Sequence, residues 1–259
     1  MKEPNDNAEF DHLASSYDEG LNDLAKSLGE EGVDVFVDRK AAWVRQFLQG
    51  ENSPESSPLK LLDFGCGTGR FLRAMQRSGL RADFEGCDIS SKMLEAARQT
   101  WDRALPAPPL HHTAGGKLPF ASASFDVVTA SCVFHHIPPG EWIETAGELF
   151  RILKPGGRLL ILEHNPWNPL TRWLVSRCPI DENAVLLSAS ECLAVLQKAG
   201  FQALKKSFIF FVPPRFRALW EWEGLLKWLP LGAQYIAVGR VNKSAVPIVT
   251  EGHSRGGNR

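Results

Sequence analysis

The chain has 259 residues, 44% hydrophobic and 23% charged, which is typical of a globular protein with a sizeable core. Its 29 basic and 30 acidic side chains give a net charge of −1 without long runs of either sign, which argues against a nucleic-acid partner. No run approaches the ~20 apolar residues of a transmembrane helix, and the polar N-terminus does not resemble a signal peptide, so we expect a soluble, cytoplasmic protein.

The five cysteines also indicate a reducing compartment. Their number is odd, no Cys-x-x-Cys pair occurs, and several stand in apolar, strand-like runs. Buried free thiols account for this pattern better than a disulfide framework. Neither the cysteines nor the histidines have a spacing that predicts a zinc site, so we expect no metal.

The first 58 residues are predicted to form a helical lid and a linker. Apolar residues recur at helical spacing over 13–28 and again over 37–48, and Gly50 is placed to end the second helix. Residues 51–58 are rich in Ser and Pro, interrupt both patterns and are typical of a linker.

From residue 59 to 163 the pattern alternates between strands and helices. Strands are predicted at 59–64, 82–88, 110–113, 125–134 and 158–163. Helices are predicted between them, one of them capped by Ser90 and another over about 141–153. This alternation predicts an α/β fold with a doubly wound, Rossmann-like parallel sheet.

Residues 164–241 are predicted to complete the same domain and to cover the substrate. The part over 164–187 has no clean period, but Ser188 opens a capping box whose helix ends at Gly200. Two strands follow, at 203–212 and 234–241, and a Trp-rich connection over 213–232 joins them. The tail over 242–259 is expected to be disordered.

A glycine-rich turn follows the first predicted strand, with the sequence Asp63-Phe64-Gly65-Cys66-Gly67-Thr68-Gly69. Glycines there let the backbone turn sharply and approach a ligand, although a tight turn alone would need them too. Asp88 ends the second strand about 20 residues on, where it can accept ribose hydroxyls. The glycine spacing differs from that of dinucleotide sites. Asp63 would repel a pyrophosphate but attract amino and sulfonium groups, which favours S-adenosylmethionine over NAD.

Further motifs follow this turn in the chain. In order, the set comprises Asp63–Gly69, Asp88, Leu118–Phe120, Ser124–Val128 and Leu153–Arg158. Over about residues 59–163 the set resembles the class I S-adenosylmethionine-dependent methyltransferases, in the small-molecule branch that includes ubiquinone and menaquinone biosynthesis enzymes. The stretch from Phe10 to Asp18 is similar to that branch's N-terminal helix.

The resemblance implies a seven-stranded sheet whose last strand is antiparallel and a site for S-adenosylmethionine. Asp63 and the backbone of the turn, with Gly65, Cys66, Gly67 and Gly69, would hold the methionine portion. Asp88 would hold the ribose, and Ile89 would pack against the adenine.

The resemblance also bears on the lid and on the strength of cofactor binding. Tyr17 would lie on the helix that closes over the cofactor; as one member of an apolar stripe, it could instead be a core residue. Family members carry an acidic residue that binds the adenine amino group at the position of Ala114. Its absence predicts weaker cofactor binding here.

Histidines at the ends of two strands are the candidate bases. Methyl transfer needs alignment of the two reactants and, when the acceptor must lose a proton, a base. His135 and His136 follow the fourth strand and are the first candidates, since histidine titrates near neutral pH. A structural role is the alternative, because such a pair is common in the family whatever the substrate. His164, after the fifth strand, comes next.

Two segments, 164–187 and 208–232, are predicted to form the acceptor pocket. Their tryptophans fit an apolar acceptor, or they only cover the sheet. Arg172 and Arg177 fit an anionic group, although solvated helix arginines would look the same. We therefore expect a small, partly hydrophobic acceptor rather than a protein or nucleic acid. A narrower version of this prediction is that the acceptor is anionic or linked to a lipid.

Apolar residues of the second segment are also candidates for peripheral contact with a membrane. Phe216, Leu219, Trp220 and Leu226 fit a membrane surface, but Glu221 and Glu223 oppose docking to anionic lipid. The methylated atom and the oligomeric state stay open. A non-catalytic module that binds S-adenosylmethionine and, with less support, an NAD-dependent oxidoreductase are the alternative functions.

Overall fold

The computed structural model describes residues 10–11, 20, 33–50 and 57–242. The strands are β1 Leu59–Phe64, β2 Ala82–Asp88, β3 Leu110–His112, β4 Phe125–Ser131, β5 Leu153–His164, β6 Gln202–Ile209 and β7 Gln234–Arg240. The α-helices are α1 Asp34–Gly50, α2 Arg70–Arg77, α3 Ser91–Gln99, α4 Trp142–Ile152, α5 Pro169–Val175 and α6 Ala189–Lys198.

The strands form one seven-stranded sheet in the order β3-β2-β1-β4-β5-β7-β6. The first five strands run parallel, while β7 is antiparallel to both of its neighbours. This arrangement confirms the predicted fold class. The strand order reverses between β1 and β4, and in such a sheet the crevice for a ligand lies at the carboxyl ends of these two strands.

Buried side chains pack on both faces of the sheet. Consecutive residues of β4 alternate between the two cores, with Val127 facing α1 and α2 while Val128 faces α4 and α6. The same alternation holds in β5 for Leu160 and Ile161. Because both faces are covered, consecutive apolar residues occur in these strands, Val127–Val128 in β4 and Leu159–Leu162 in β5, as expected for central strands of a parallel sheet.

The fourth strand ends at Ser131, earlier than the predicted Phe134. Cys132 adopts a left-handed backbone with a φ of +58°, which turns the chain out of the sheet. The amide groups of Val133 and Phe134 then donate to Glu163 Oε1 over 2.9 and 2.7 Å. Beyond Ser131, the Glu163 carboxylate on β5 thus takes the place of the backbone hydrogen bonds between the strands. The periodicity of apolar residues alone does not predict this end of β4.

Helix α5 lies in the segment for which no period was found. Asn168 caps it by accepting a hydrogen bond from the Thr171 amide over 2.9 Å, and Pro169 occupies the first turn. An Asn-Pro pair is a recognised start signal, so the sequence did carry a sign of this helix. The Trp-rich connection forms 3₁₀ turns over Pro214–Leu225.

Several predictions concern residues outside the described ranges. They include Tyr17 and most of the proposed lid, residues 51–56 of the linker and the tail from residue 243. The division into lid, core and cap stays a prediction. Within the described ranges, every helix is too short or too polar to cross a bilayer.

Candidate cofactor and acceptor site

A cleft of about 250 Å³ opens at the carboxyl ends of β1, β4 and β5. The glycine turn lines one part of it, and residues of α1, α5 and the end of β4 line the rest. The cleft therefore extends from the glycine turn to the residues beneath α1 and α5.

The three glycines of the turn have positive φ angles, from +51° to +75°. A side chain on Gly65 would come within 2.5 Å of Val133, and one on Gly69 within 2.7 Å of Trp101. At Gly67 no atom lies within 4 Å of the same position. Gly65 and Gly69 therefore permit close packing of the protein, whereas the space beside Gly67 stays open for a ligand.

Asp63 is a buried carboxylate that lines the cleft. One of its oxygens accepts a hydrogen bond from Thr129 Oγ1 over 2.7 Å. Burial raises the pKa of Asp63 to about 7. A cationic amino group placed beside it would restore the charged form and bind to it, as predicted for the methionine portion of the cofactor.

Asp88 organises the turn. Its two carboxylate oxygens accept hydrogen bonds from the backbone amides of Gly67, over 2.7 Å, and Ser90, over 2.8 Å. Each oxygen keeps further lone pairs, so ribose hydroxyls can still donate to them. Ile89 beside it is half-buried, while Ala114 is exposed just beyond β3.

We expect Asp88→Ala to weaken binding of S-adenosylmethionine by about 1–3 kcal/mol, because buried polar partners would lose their acceptor. Calorimetric titration of the folded variant measures this change. Asp88→Asn is the matched control, because it keeps one acceptor oxygen, and it should bind more tightly than the alanine variant. Equal cofactor affinity in wild type and Asp88→Ala would remove Asp88 from the site.

Two residues of the N-terminal motif contact residues in or near the cleft. Ser90 Oγ donates to Asp11 Oδ1 over 2.6 Å, and the Phe10 ring meets the His136 ring edge-on at 5.0 Å. These contacts place the start of the motif beside the residues predicted to bind the cofactor. They support a lid, whose closing residue Tyr17 stays a prediction.

His135 is fully buried between two carboxylates. Its Nδ1 bonds to Glu163, and its Nε2 lies 3.4 Å from Asp181 Oδ1, an ionic contact without hydrogen-bond geometry. Burial opposes the charged form, but Glu163 and then Asp181 raise the pKa of His135 well above its usual value. An imidazolium fixed in this way is poorly prepared to accept a proton.

His136 differs from its neighbour. Burial and the charge on His135 lower its pKa to about 4, so its ring is neutral near pH 7 and lines the cleft. His135, His136 and Asp181 each offer one possible ligand atom within 4.8 Å of the others, a spacing that a metal ion could use. The attraction between the Asp181 carboxylate and the His135 imidazolium also explains why these residues lie together. A site without a metal ion stays our prediction.

Lys40 was not predicted as a site residue. It lies on α1, is only 7% exposed and lines the cleft. Its Nζ lies 3.2 Å from Ser131 Oγ and 3.4 Å from Cys132 Sγ. Among the described residues no carboxylate forms an ion pair with it. Its place on the apolar stripe, one turn from Val37 and Val44, is the sequence signal for a buried cation.

Cys132 completes this group. Burial alone would raise the pKa of its thiol, but Lys40 and then His164 lower it to about 6. His164 also lines the cleft, and its Nδ1 lies 3.3 Å from the Gln234 amide. This end of the cleft therefore presents a cation, a readily ionised thiol and two histidines to whatever binds there.

The tryptophans of the predicted acceptor segments do not line the cleft. Smaller residues of the same segments do, among them Thr171, Leu174 and Phe210. Arg172 and Arg177 are exposed outside it. The segments thus line one end of the cleft with Thr171 and with aliphatic and phenyl groups, and binding of the acceptor at this end stays a prediction.

Comparison with known proteins agrees with this geometry. A family model described as a methyltransferase domain matches residues 61–157. The ubiquinone/menaquinone biosynthesis C-methyltransferase of Cereibacter sphaeroides is 36% identical over 121 residues, or 46% of this chain and 48% of the relative. The demethylmenaquinone methyltransferase of Thermus thermophilus is 34% identical over 158 residues, or 61% and 64% of the two chains. The chain thus spans from about half to under two thirds of the length of these relatives.

Among solved structures, a methyltransferase from Thermotoga maritima, described as a possible histamine N-methyltransferase, has a similar fold. The TM-score is 0.61 at 20% identity, and the match covers 90% of this chain and 98% of that one. The matched family domain contains the glycine turn, Asp63 and Asp88, the residues whose geometry suits S-adenosylmethionine. The chain therefore contains a methyltransferase domain over residues 61–157 and resembles the class I S-adenosylmethionine-dependent methyltransferases of the ubiquinone and menaquinone branch.

Proposed function

We propose that the chain methylates a small ring acceptor that carries an ionisable hydroxyl, of the reduced-quinone type. The observation that carries this proposal is Lys40, a buried ammonium at the acceptor end of the cleft without a described carboxylate partner. A buried cation is costly unless it meets an anion. The Cys132 thiol, whose pKa is about 6, lies 3.4 Å from Lys40 Nζ and can supply one, and an acceptor oxyanion bound beside the same ammonium group would be stabilised in the same way. The names of the curated relatives, which act in quinone biosynthesis, point to the same class.

Each group of the cleft has a role in this reaction. The cofactor supplies an electrophilic methyl group on a sulfonium. Asp63 binds its amino group, and Asp88 binds its ribose. Lys40 holds the acceptor oxygen and stabilises the negative charge that spreads into the ring. His136, with His164 as the second candidate, is placed to accept the hydroxyl proton. Because the pKa of His136 is only about 4, this transfer depends on Lys40 stabilising the oxyanion that forms, while the apolar lining excludes water.

The test is a panel of acceptors with the full chain and S-adenosylmethionine. We expect methylation of naphthoquinols and benzoquinols with short isoprenoid tails, with NMR of the product locating the new methyl group. Methylation of tRNA, proteins or amines, with none of the quinols, would overturn the proposed acceptor. Tight cofactor binding without turnover on any acceptor would favour the non-catalytic module, and calorimetry with NAD tests the oxidoreductase alternative.

For His136→Gln we expect a loss in turnover of about 100-fold, with cofactor affinity retained, because glutamine can donate and accept hydrogen bonds but cannot take up the proton. Initial rates on the accepted quinol, together with calorimetry, measure the two effects. His111→Gln is the matched control, since His111 lies outside the cleft and its Nε2 lies 2.8 Å from Glu85. Normal turnover in His136→Gln would transfer the base role to His164.

A further inference from the structure

Exposed apolar side chains concentrate in two segments of the chain that hydrogen bonds join at one end. Among the described residues, twelve large hydrophobic side chains are exposed, and ten of them lie within residues 167–177 and 215–231. They are Trp167, Leu170, Trp173, Phe216, Leu219, Trp222, Leu225, Leu226, Trp228 and Leu231. We call the exposed side of these two segments the outer face. Single exposed apolar residues are ordinary on a protein surface, but a concentration of this kind marks an interaction site.

The two segments adjoin each other and the cleft. The Asn165 side chain donates to the carbonyls of Pro230 and Gly232 over 3.1 and 2.8 Å, and the Asn168 side chain donates to that of Leu231 over 2.7 Å. Thr171, on the inner side of α5, lines the acceptor end of the cleft. The outer face therefore borders the part of the cleft where the acceptor is proposed to bind.

The charges of the outer face have one dominant sign. Its exposed basic residues are Arg172, Arg177, Arg215, Arg217 and Lys227. Glu221 is its one exposed carboxylate within residues 167–177 and 215–231. Glu223, which by sequence opposes contact with anionic lipid, is buried. It forms an ion pair with Arg39 and accepts a hydrogen bond from the Val212 amide over 2.7 Å.

We propose that the outer face docks on the surface of an anionic lipid bilayer. Tryptophan is the side chain that favours the bilayer interface, and four of the ten exposed apolar residues are tryptophans. The basic residues among them complement anionic headgroups. A protein partner or a second copy of the chain would also bury apolar groups, but the excess of positive charge favours the anionic lipid surface. Docking on the membrane does not depend on the proposed function. Only the further step, in which a lipid-tailed acceptor passes from the membrane into the cleft, rests on the proposed function.

Flotation of the full chain with vesicles tests the proposal. We expect the protein to bind vesicles of phosphatidylcholine mixed with phosphatidylglycerol, to bind pure phosphatidylcholine more weakly, and to be released by salt. The tryptophan fluorescence of the unmodified protein should shift to shorter wavelength when the anionic vesicles are added. Failure of both measurements would overturn the proposal.

Two pairs of substitutions separate the apolar and the charged contributions. Arg215→Gln with Arg217→Gln should weaken binding to the anionic vesicles by about 25-fold, at about fivefold per charge. Trp222→Ser with Trp228→Ser should weaken it by about tenfold or more. These side chains are exposed, so thermal melting should be unchanged. Ile143→Ser is the matched control, because Ile143 is 42% exposed on α4, outside the outer face.

The remaining outcomes distinguish this proposal from the proposed function. Turnover on a water-soluble quinol should be unchanged in all these variants, because none of the substituted residues lines the cleft. Vesicle binding without quinol methylation would leave the docking face standing and overturn the acceptor. Self-association that disappears in the tryptophan variant, without vesicle binding, would assign the outer face to a second copy instead.

Discussion

Lys40→Met should lower kcat/KM for the acceptor by about 100-fold to 1,000-fold. A preorganised donor aimed at a developing oxyanion contributes an effect of this size. Lys40 fits that description, because α1 holds its ammonium group inside the cleft, 3.2 Å from the Ser131 hydroxyl. Methionine keeps the length and apolar stem of the side chain but removes the charge. The affinity for S-adenosylmethionine should change much less, through the loss of the charge that favours the ionised form of Asp63. Steady-state kinetics on the accepted quinol measure the loss.

Arg45→Met is the matched control for this substitution. Arg45 is another cation on α1, but it is exposed and does not line the cleft. Its loss should leave kcat/KM within about twofold, as for most surface substitutions that break no defined contact. If Lys40→Met retained full kcat/KM, Lys40 would not stabilise an oxyanion. The proposal of an acceptor with an ionisable hydroxyl would then lose its main support.

The same lysine has a second effect that is independent of turnover. Lys40 lowers the pKa of Cys132, which is about 6, and the other four cysteines are buried. Alkylation of the native protein should therefore modify Cys132 first, with a rate that rises through about pH 6. In Lys40→Met this midpoint should move to higher pH. An unchanged midpoint would mean that the ammonium group does not face the thiol.

The sequence predicted the cofactor half of this site well because its determinants are local. The turn from Gly65 to Gly69 needs positive φ angles within five consecutive positions, and Asp88 binds that turn through backbone amides. The motif and the bonds that maintain it therefore lie on two adjacent strands. Periodicity located β1 and β2 with the bounds that the structure has.

The acceptor half was harder to predict because it depends on contacts between distant parts of the chain. Lys40 meets Cys132 across 92 positions of sequence, and the role of His135 depends on Glu163 and Asp181. Single-residue properties treat His135 and His136 as equivalent. Burial opposes the charged form of both rings. At His135 the two carboxylates overcome this effect and raise the pKa, whereas at His136 the charge on His135 adds to it and the pKa is lowered.

His135→Gln should destabilise the fold by about 3 kcal/mol or more, in contrast to His136→Gln. Removing one partner of a buried ion pair leaves the other charge uncompensated, and the cost is of this order. The carboxylate left behind is Glu163, which also holds the chain after β4 through the amides of Val133 and Phe134. Asp181 would lose its contact with Nε2 as well. Denaturant unfolding of both variants measures the difference.

The pH dependence of this loss separates an ion pair from simple packing. The pKa of His135 is raised on folding, so its contribution to stability is complete below about 6.5 and is lost as pH rises through the folded value. The pKa of Glu163 is lowered, so its contribution is complete above about 4.5 and is lost as pH falls through the folded value. The other titratable groups that interact with this pair are Cys132, His136, His164, Asp181, Cys192 and Tyr235.

The gap in unfolding free energy between wild type and His135→Gln should therefore be widest between about pH 4.5 and 6.5 and should narrow on both sides. His112→Gln, on exposed surface, should show no such window. A gap that is constant with pH would mean that the imidazole acts through its shape alone. A stable His135→Gln variant that loses turnover would instead return His135 to the position of a catalytic base. The buried ion pair predicts the opposite order, with stability lost in His135→Gln and turnover lost in His136→Gln.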